Sequence, residues 1–564
     1  MIFRQRILLV FISVCCVICP AELTLGQETF AERVRAVMDT SATFYRSISN
    51  RGGYAGKYSL DLKTCYGESL RDVLKPGEIW IQPPGTPSVG LVFLRAYRIT
   101  RDESYLAAAR DVGRSLAWSQ RAAGGWGYKG DVSDLKPDSK MQQRKVGYCT
   151  LDDRTTQGAL DFLMRLGEFI DEPWLSESVQ LGLDYMLKAQ FPNGAWPQQY
   201  PLQGGYLNYY TFNDGAINDC IRVTLTAHQL YEKEEYLDSA TRGGDFIILS
   251  QLPGPQAGWA EQYSLDLKPA RGRTFEPPGV CSLVAARNIE TLVDLYLYTK
   301  NEKYLAPIPK AIDWLDKSRI GPNLWARLYE IGSNRPIYGD VDGRMHYSLD
   351  ELSEEQRRGY CWQYEFGING AIQYYREVKG VGAERYLAEK SVVPPAKQGR
   401  KIESIVASLD KNGRWVRNNI IDIEDFMINW NILCGYLEMS GPRAHDESVY
   451  SYCSWLIKKP GMPFYYYTKA SMRAYEQLEI ALDDGYDLSI GNPNSDRYLQ
   501  NNCWVRDYTN ARIVVNPTNK VQHIVIDKNR RWLDWRYKEP VTELEIAPIT
   551  GKILLPIRAD NSYR

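Results

Sequence analysis

One pattern recurs along this chain: a glycine or asparagine, an aromatic within two residues of it, and a polar or aromatic residue soon after. It occurs at Gly52-Gly-Tyr54, Gly124-Gly-Trp126, Gly194-Ala-Trp196, Gly258-Trp259 and Asn323-Leu-Trp325, so the aromatics lie 72, 70, 63 and 66 residues apart. A period of that length holds two helices and two loops, which makes the body of the chain a ring or solenoid of helical hairpins. The stretches before the turns share a shape, as in Ser104-Tyr-Leu-Ala, Pro173-Trp-Leu-Ser, Glu235-Tyr-Leu-Asp and Lys303-Tyr-Leu-Ala. Each begins aromatic-Leu and spaces its apolar residues three or four apart, and three end at Gln120, Gln190 and Gln251. These predict one helix of each hairpin. The other helices are expected over 89–97, 155–168, 216–231, 284–298 and 368–378, where broader apolar faces mixed with small residues suit an inner ring. Loops after the turns then emerge on one rim, the place for a site.

With 564 residues, 44% hydrophobic and 24% charged, the chain is globular and larger than one ordinary domain. A formal net charge of −1 gives no support to nucleic acid as a bulk electrostatic partner. The 39 Tyr and 15 Trp against 14 Phe suit carbohydrate, although amphipathic packing within helical hairpins uses the same residues. Met-Ile-Phe-Arg-Gln-Arg followed by an apolar run over 7–19 reads as a signal peptide over 1–27, cleaved between Ala21 and Gln27, and not as a membrane span. The expected product is a secreted or periplasmic monomer. Of 11 Cys, Cys15, Cys16 and Cys19 leave with that segment, and the remaining eight include no close pair that suggests a metal site. A Pro/Lys/Gly segment over 392–399 marks an expected boundary between a toroid over 28–390 and an accessory region over 391–564. That region shows helix over 423–437 and 470–482, then β runs at Ala511-Arg-Ile-Val-Val-Asn516, Val521-Gln-His-Ile-Val-Ile526 and 544–546. These closing runs resemble the β-sandwich tails of glycoside hydrolases. The expected fold class is thus mainly α: an α/α toroid with a smaller C-terminal α+β region ending in short β-strands.

Four His, none beside a plausible partner, leave triads and His-rich metal sites unpromising. Carboxylates and arginines carry the polar interest. Asp152 and Asp153 open one inner helix, and Asn213 and Asp214 open the next. A lone Asp there serves well as an N-cap. Two of them, Asp152 and Asp214, at matching places in adjacent repeats, should lie side by side, and hard oxygen ligands so placed suit Ca²⁺. Tyr58-Ser-Leu-Asp-Leu-Lys63 recurs unchanged as Tyr263-Ser-Leu-Asp-Leu-Lys268, after which the copies diverge. The shared residues read as framework. Arg271 and Arg273, without counterparts in the first copy, are candidates for function or for surface salt bridges.

Four motifs then resemble, in order and spacing, the pectate lyases of polysaccharide lyase family 10. They are Gly194-Ala-Trp-Pro-Gln-Gln-Tyr-Pro201, Tyr210-Thr-Phe-Asn-Asp-Gly-Ala216, Leu267-Lys-Pro-Ala-Arg-Gly-Arg-Thr-Phe-Glu-Pro-Pro278, and Trp325-Ala-Arg-Leu-Tyr-Glu330 with Asn334-Arg-Pro336. The resemblance spans about residues 124–378. It implies an α-helical toroid and Ca²⁺-assisted β-elimination of polygalacturonate by an exported enzyme. By position, Asp152 and Asp214, with Asp153 as an alternative, resemble the acidic Ca²⁺-binding pair, and Arg273 resembles the arginine that acts as base. Arg335 resembles a substrate-binding arginine, and Arg271, Arg327 and Lys268 join it as substrate-binding candidates. An arginine base must be partly neutral, which implies an alkaline optimum. Ala195 in the turn, Arg271-Gly272 before Arg273 and the helical section from Glu28 depart from the family pattern.

Three rivals use the same residues differently. Gln120-x3-Gly-x-Trp126 and Gln190-x3-Gly-x-Trp196 resemble the turns of triterpene cyclases, but a Lys/Arg-rich rim is wrong for a hydrocarbon. A glycan-binding toroid would bind without turnover. A hydrolase with an acid pair predicts saturated products and no Ca²⁺ dependence.

Overall fold

The computed structural model describes residues 29–136, 144–383, 386, 399–440 and, within 498–556, the strands of a small β unit. Six hairpins of helices make the body. The first pairs α1 (Phe30–Ser47) with α2 (Thr86–Thr100), the second α3 (Glu103–Ser119) with α4 (Thr155–Leu166), and the third α5 (Pro173–Ala189) with α6 (Ala216–Tyr231). The fourth pairs α7 (Glu234–Leu249) with α8 (Ser282–Thr299). The fifth holds α9 (Ile308–Lys317), a short α10 (Glu354–Gly359) in its loop, and α11 (Ile368–Val381), and the sixth holds α12 (Gly399–Ser408) and α13 (Ile423–Ser440). Every residue of α4 is buried, as an inner helix covered on all sides requires. Neighbouring inner helices pack on each other in the order α2, α4, α6, α8, α11, and α13 packs back on α2. The outer helices bury one stripe only, as the three-or-four spacing predicts. Pro307 and Pro309 break the fourth expected outer helix, which begins as a 3-10 turn at Glu302–Tyr304 and becomes α9 only from Ile308.

The turns share a frame. Trp126, Trp196 and Trp325 each donate from Nε1 to a carbonyl ten residues earlier in the outer helix, at Leu116, Met186 and Leu315. Gln120 Nε2 donates to Gly124 O at 2.7 Å and to Ser178 O at 3.0 Å, tying one turn to the next outer helix, and Gln190 does the same with Gly194 and Ser239. Gly194 has φ 93°, and a Cβ there would lie 2.0 Å from the Arg242 carbonyl oxygen, so only glycine fits. The residue two places after the turn aromatic accepts, through its carbonyl, the amide that leads into the preceding inner helix. This bond recurs from Ile81 to Tyr128, Leu151 to Gln198, Phe212 to Glu261 and Ser282 to Arg327.

The same bond runs from Ile423 to Gly56, joining the sixth hairpin to the first. This corrects the expected boundary at 390/391. Gly413-Arg-Trp415 is a sixth glycine-aromatic turn, and Trp415 donates to the Ile405 carbonyl ten residues earlier, like its sisters. Strand Ile420–Asp422 pairs antiparallel with Lys57–Ser59, and Arg95 on α2 binds Asn431 and Glu438 on α13. Residues 399–440 are therefore part of the toroid. Trp415→Ala is expected to destabilise the ring by about 3–5 kcal/mol, as truncation of a buried tryptophan does, measured by urea unfolding.

The β unit comprises an antiparallel six-stranded sheet and a strand pair, Gln522–Val525 with Glu543–Ile546, around Val505, Val514, Trp532 and Leu544. Three expected β runs are found here; the helix expected over 470–482 and the segment 1–27 lie outside the described residues. No described helix is long and apolar enough to cross a membrane. The seven described cysteines are free.

Candidate active site

The second and third hairpins enter their inner helices in the same way. Thr150 and Thr211 accept through their hydroxyls the amides of Asp152 and Asn213, each at 3.1 Å. The next two residues take positive φ: Asp153 50° and Arg154 58° in one, Asp214 46° and Gly215 79° in the other. Asp and Asn tolerate this region better than most side chains. The structural match is thus Asp153 with Asp214 and Asp152 with Asn213, one residue away from the pairing of Asp152 with Asp214 expected from spacing. All three carboxylates nevertheless converge, with one oxygen of each within 4.8 Å of the others.

These three carboxylates could hold a cation. Asp152 is 7% exposed; its Oδ2 accepts from Tyr128 Oη at 2.8 Å and Gln198 Nε2 at 2.6 Å, while its Oδ1 is shut from water and takes no hydrogen bond. Asn213 Nδ2 donates to Asp214 Oδ2 at 2.8 Å. Burial, and then the charge of Asp214, push Asp152 up to about 6. Burial, and then Asp152 and Asp214, push Asp153 up to about 8. Clustered carboxylates that repel one another out of water, with a lone pair left over, have the donor chemistry of a hard divalent ion.

Arg273 stands beside this cluster, and its charge works against the rise at Asp152 and Asp153. Its backbone amide donates to Glu276 Oε2 at 2.8 Å and its Nε to Glu276 Oε1 at 2.9 Å. Glu276 is 3% exposed and also accepts from Tyr360 Oη at 3.1 Å. Burial favours the neutral guanidine, but the hydrogen bond and charge of Glu276 outweigh it and hold Arg273 above the usual arginine range. The lowered pKa expected of an arginine base is not present in this state. A Cβ on Gly272 would lie 2.1 Å from Gln262 Nε2 and 2.6 Å from Glu276 Oε2, so the Arg-Gly-Arg sequence lets the loop press onto the carboxylate.

The other arginines and the lysine are placed differently. Arg327, expected to bind substrate, is buried, with Nε 2.7 Å from Glu261 Oε1 and its guanidinium 4.7 Å from the Tyr360 ring centroid. Arg335 is exposed and lies over Tyr347, 3.9 Å from the ring centroid. Lys268 pairs with Asp266 at 2.8 Å on an exposed loop, and Arg271 donates to the Thr274 carbonyl. The repeated Tyr-Ser-Leu-Asp-Leu-Lys is framework: Tyr58 and Tyr263 accept the Ala55 and Ala260 amides, and Ser59 and Ser264 bind Asp61 and Asp266. Tyr128, Gln198 and Glu276 are the site residues that sequence reasoning missed. For the first two a signal existed, since both stand two residues after a turn tryptophan.

A trio of carboxylates and a carboxylate-held arginine meet on one rim of a helical toroid, and the family match that follows supports a polysaccharide lyase. Residues 120–321 and 316–369 match the family model described as pectic acid lyase, nearly the segment over which the motifs show the resemblance. No curated protein sequence matches the chain. Similar solved structures include a family 10 polysaccharide lyase from Cellvibrio cellulosa, at 21% identity over 50% of this chain and 95% of that one, with TM-score 0.40. A variant of a family 10 polysaccharide lyase from Cellvibrio cellulosa in complex with trigalacturonic acid is 19% identical over 51% of this chain and 97% of that one, with TM-score 0.40. A glycoside hydrolase family 76 mannosidase from Bacteroides thetaiotaomicron is 10% identical over 72% of this chain and 97% of that one, with TM-score 0.41.

Proposed function

We propose that the protein cleaves polygalacturonate by Ca²⁺-assisted β-elimination, as an enzyme exported by its N-terminal signal. The observation that carries this reading is the convergence of Asp152, Asp153 and Asp214, with the bare Oδ1 of Asp152, beside Arg273. These three carboxylates would hold the ion, which when bound neutralises a uronate carboxylate and so acidifies the C5 proton. Tyr128 and Gln198 fix Asp152 through one oxygen and leave the other for ligation. Glu276 aims Arg273 through its backbone and its guanidinium. As base, Arg273 accepts the C5 proton in the small fraction of molecules in which it is neutral, a fraction that grows with pH. Arg335, exposed over the Tyr347 ring, would fork onto a further uronate carboxylate.

Polygalacturonate with Ca²⁺ is expected to give 4,5-unsaturated uronate, seen by its ultraviolet absorbance, and chelator is expected to abolish the signal. Flat absorbance with retained pectate binding would overturn the reading in favour of a glycan-binding toroid. A second reading draws on the raised pKa of Asp153, which keeps it protonated at neutral pH as a general acid of hydrolysis requires. Saturated products formed equally well in chelator would establish it instead.

A further inference from the structure

Glu276 is where the loops of the fourth and fifth hairpins meet beside Arg273. Its Oε1 takes three donors: Arg273 Nε at 2.9 Å, Arg273 Nη2 at 2.5 Å and, from the fifth hairpin, Tyr360 Oη at 3.1 Å. A carboxylate oxygen offers two lone pairs, so whatever share the hydroxyl takes is withheld from the guanidinium. Glu276 Oε2 is occupied separately, by the Arg273 amide. The Glu276 side chain is 3% exposed and that of Arg273 44%, so the carboxylate depends on these donors while the guanidinium still meets water.

Tyr360 is held from several sides. It follows α10 in the loop and meets Phe275 edge-on, with ring centroids 5.3 Å apart, and Trp362 at 4.6 Å. Trp362 donates from Nε1 to the Gln356 carbonyl at 3.1 Å and accepts the Arg327 amide through its own carbonyl at 2.7 Å. The Arg327 guanidinium lies 4.7 Å from the Tyr360 ring centroid and is anchored on Glu261. A buried ion pair is weak support for a fold, and the turn frame uses only the carbonyls of these two residues, so the pair calls for another role. A cation over a phenol ring holds the ring and draws electron density from it, which makes the hydroxyl a stronger donor. Burial, and then the charge of Glu261, push the Tyr360 phenol above the usual tyrosine range, so it keeps its proton. An ionised phenol would add to the negative charge that holds Arg273, whereas a protonated one competes with Arg273 for Glu276.

We propose that Tyr360 is a positioning residue that sets how tightly Glu276 holds Arg273, with the Glu261–Arg327 pair as its support. Its hydroxyl takes part of Oε1 and leaves the guanidinium less firmly bound than the carboxylate alone would make it. The consequence for turnover rests on the reading of Arg273 as base. The contact itself does not.

The test reads Arg273 first without turnover. Phenylglyoxal adds to the neutral guanidine, so the rate at which it modifies Arg273 in the Ca²⁺-free full chain, followed by peptide mass spectrometry, reports how firmly Glu276 holds that side chain. Tyr360→Phe keeps the ring and its packing and is expected to slow modification of Arg273 by about threefold to tenfold, the worth of one hydrogen bond, while Arg242 on α7 keeps the parent's rate and reports an intact fold. Arg327→Met made together with Glu261→Gln should act in the same direction. Unchanged or faster modification of Arg273 in Tyr360→Phe overturns the proposal. With polygalacturonate and Ca²⁺, Tyr360→Phe is expected to lower kcat at neutral pH by about the same factor with KM unchanged, and to have little further effect once Glu276→Gln is present. An equal loss of kcat in both backgrounds overturns the route through Glu276. A parent that forms no unsaturated product, with Arg273 still slowed in Tyr360→Phe, would sink the lyase reading alone.

Discussion

Asp152→Asn is expected to lower Ca²⁺-dependent formation of unsaturated uronate by about 10²–10³-fold, because it removes a hard ligand and turns the bare Oδ1 into a neutral donor or acceptor. Asp214→Asn should do the same. Asp153→Asn separates ligation from stability. Unfolded, Asp153 titrates near its ordinary 3.8, and folded near 8, so between those values the folded state holds a proton that the unfolded chain has released. The Ca²⁺-free protein therefore loses stability as pH rises from about 4 to about 8. Asp153→Asn should flatten that loss and raise the melting temperature of the Ca²⁺-free protein at pH 8, while shrinking the rise in melting temperature on adding Ca²⁺. A variant whose melting temperature falls with pH as steeply as the parent's would show that Asp153 is not the repelled group.

Arg273→Ala should cost about 10³–10⁴-fold in turnover, the upper part of what a positioned proton acceptor supplies. The more telling variant is Glu276→Gln. Glu276 holds Arg273 above the usual arginine range, so its neutralisation lowers the Arg273 pKa and enlarges the neutral fraction at any given pH. If Arg273 is the base, the alkaline rise in the rate profile should move to lower pH in Glu276→Gln even where misorientation reduces the maximum. If Arg273 acts only as a fixed cation, the profile keeps its midpoint and only its height falls. Turnover measured across alkaline pH for both proteins decides between them.

The ring was legible because its turns are chemically obligatory. A tryptophan whose indole must reach an outer-helix carbonyl, and a glycine pressed against the neighbouring helix, leave a mark every 63 to 72 residues. Hairpin six escaped because Gly413-Arg-Trp415 follows a Pro/Lys/Gly stretch that reads as a boundary, and nothing local says that Arg95 on α2 awaits Asn431 and Glu438. The site was half legible. Asp152, Asp153 and Asp214 stood out as acids at helix entries, but their register depends on φ, and φ placed Asp153 with Asp214. Arg327 looked like Arg335 in sequence, and only tertiary packing shows that Glu261 has claimed it. Glu276 was missed although it stands three residues after Arg273; what the sequence hides is its burial and its hydrogen bond from Tyr360, 84 residues away.

The residues two places after the turn aromatics, Gly56, Tyr128, Gln198, Glu261 and Arg327, share one backbone bond and no side-chain chemistry. The frame asks only for their carbonyls and so leaves each side chain as an interchangeable fitting around a common socket. In this protein two fittings grip an acid and two neutralise each other. Exchanging Tyr128 or Gln198 would retune what the rim holds while the frame's carbonyls stay in place, whereas Glu261 and Arg327, buried together, would have to change as a pair.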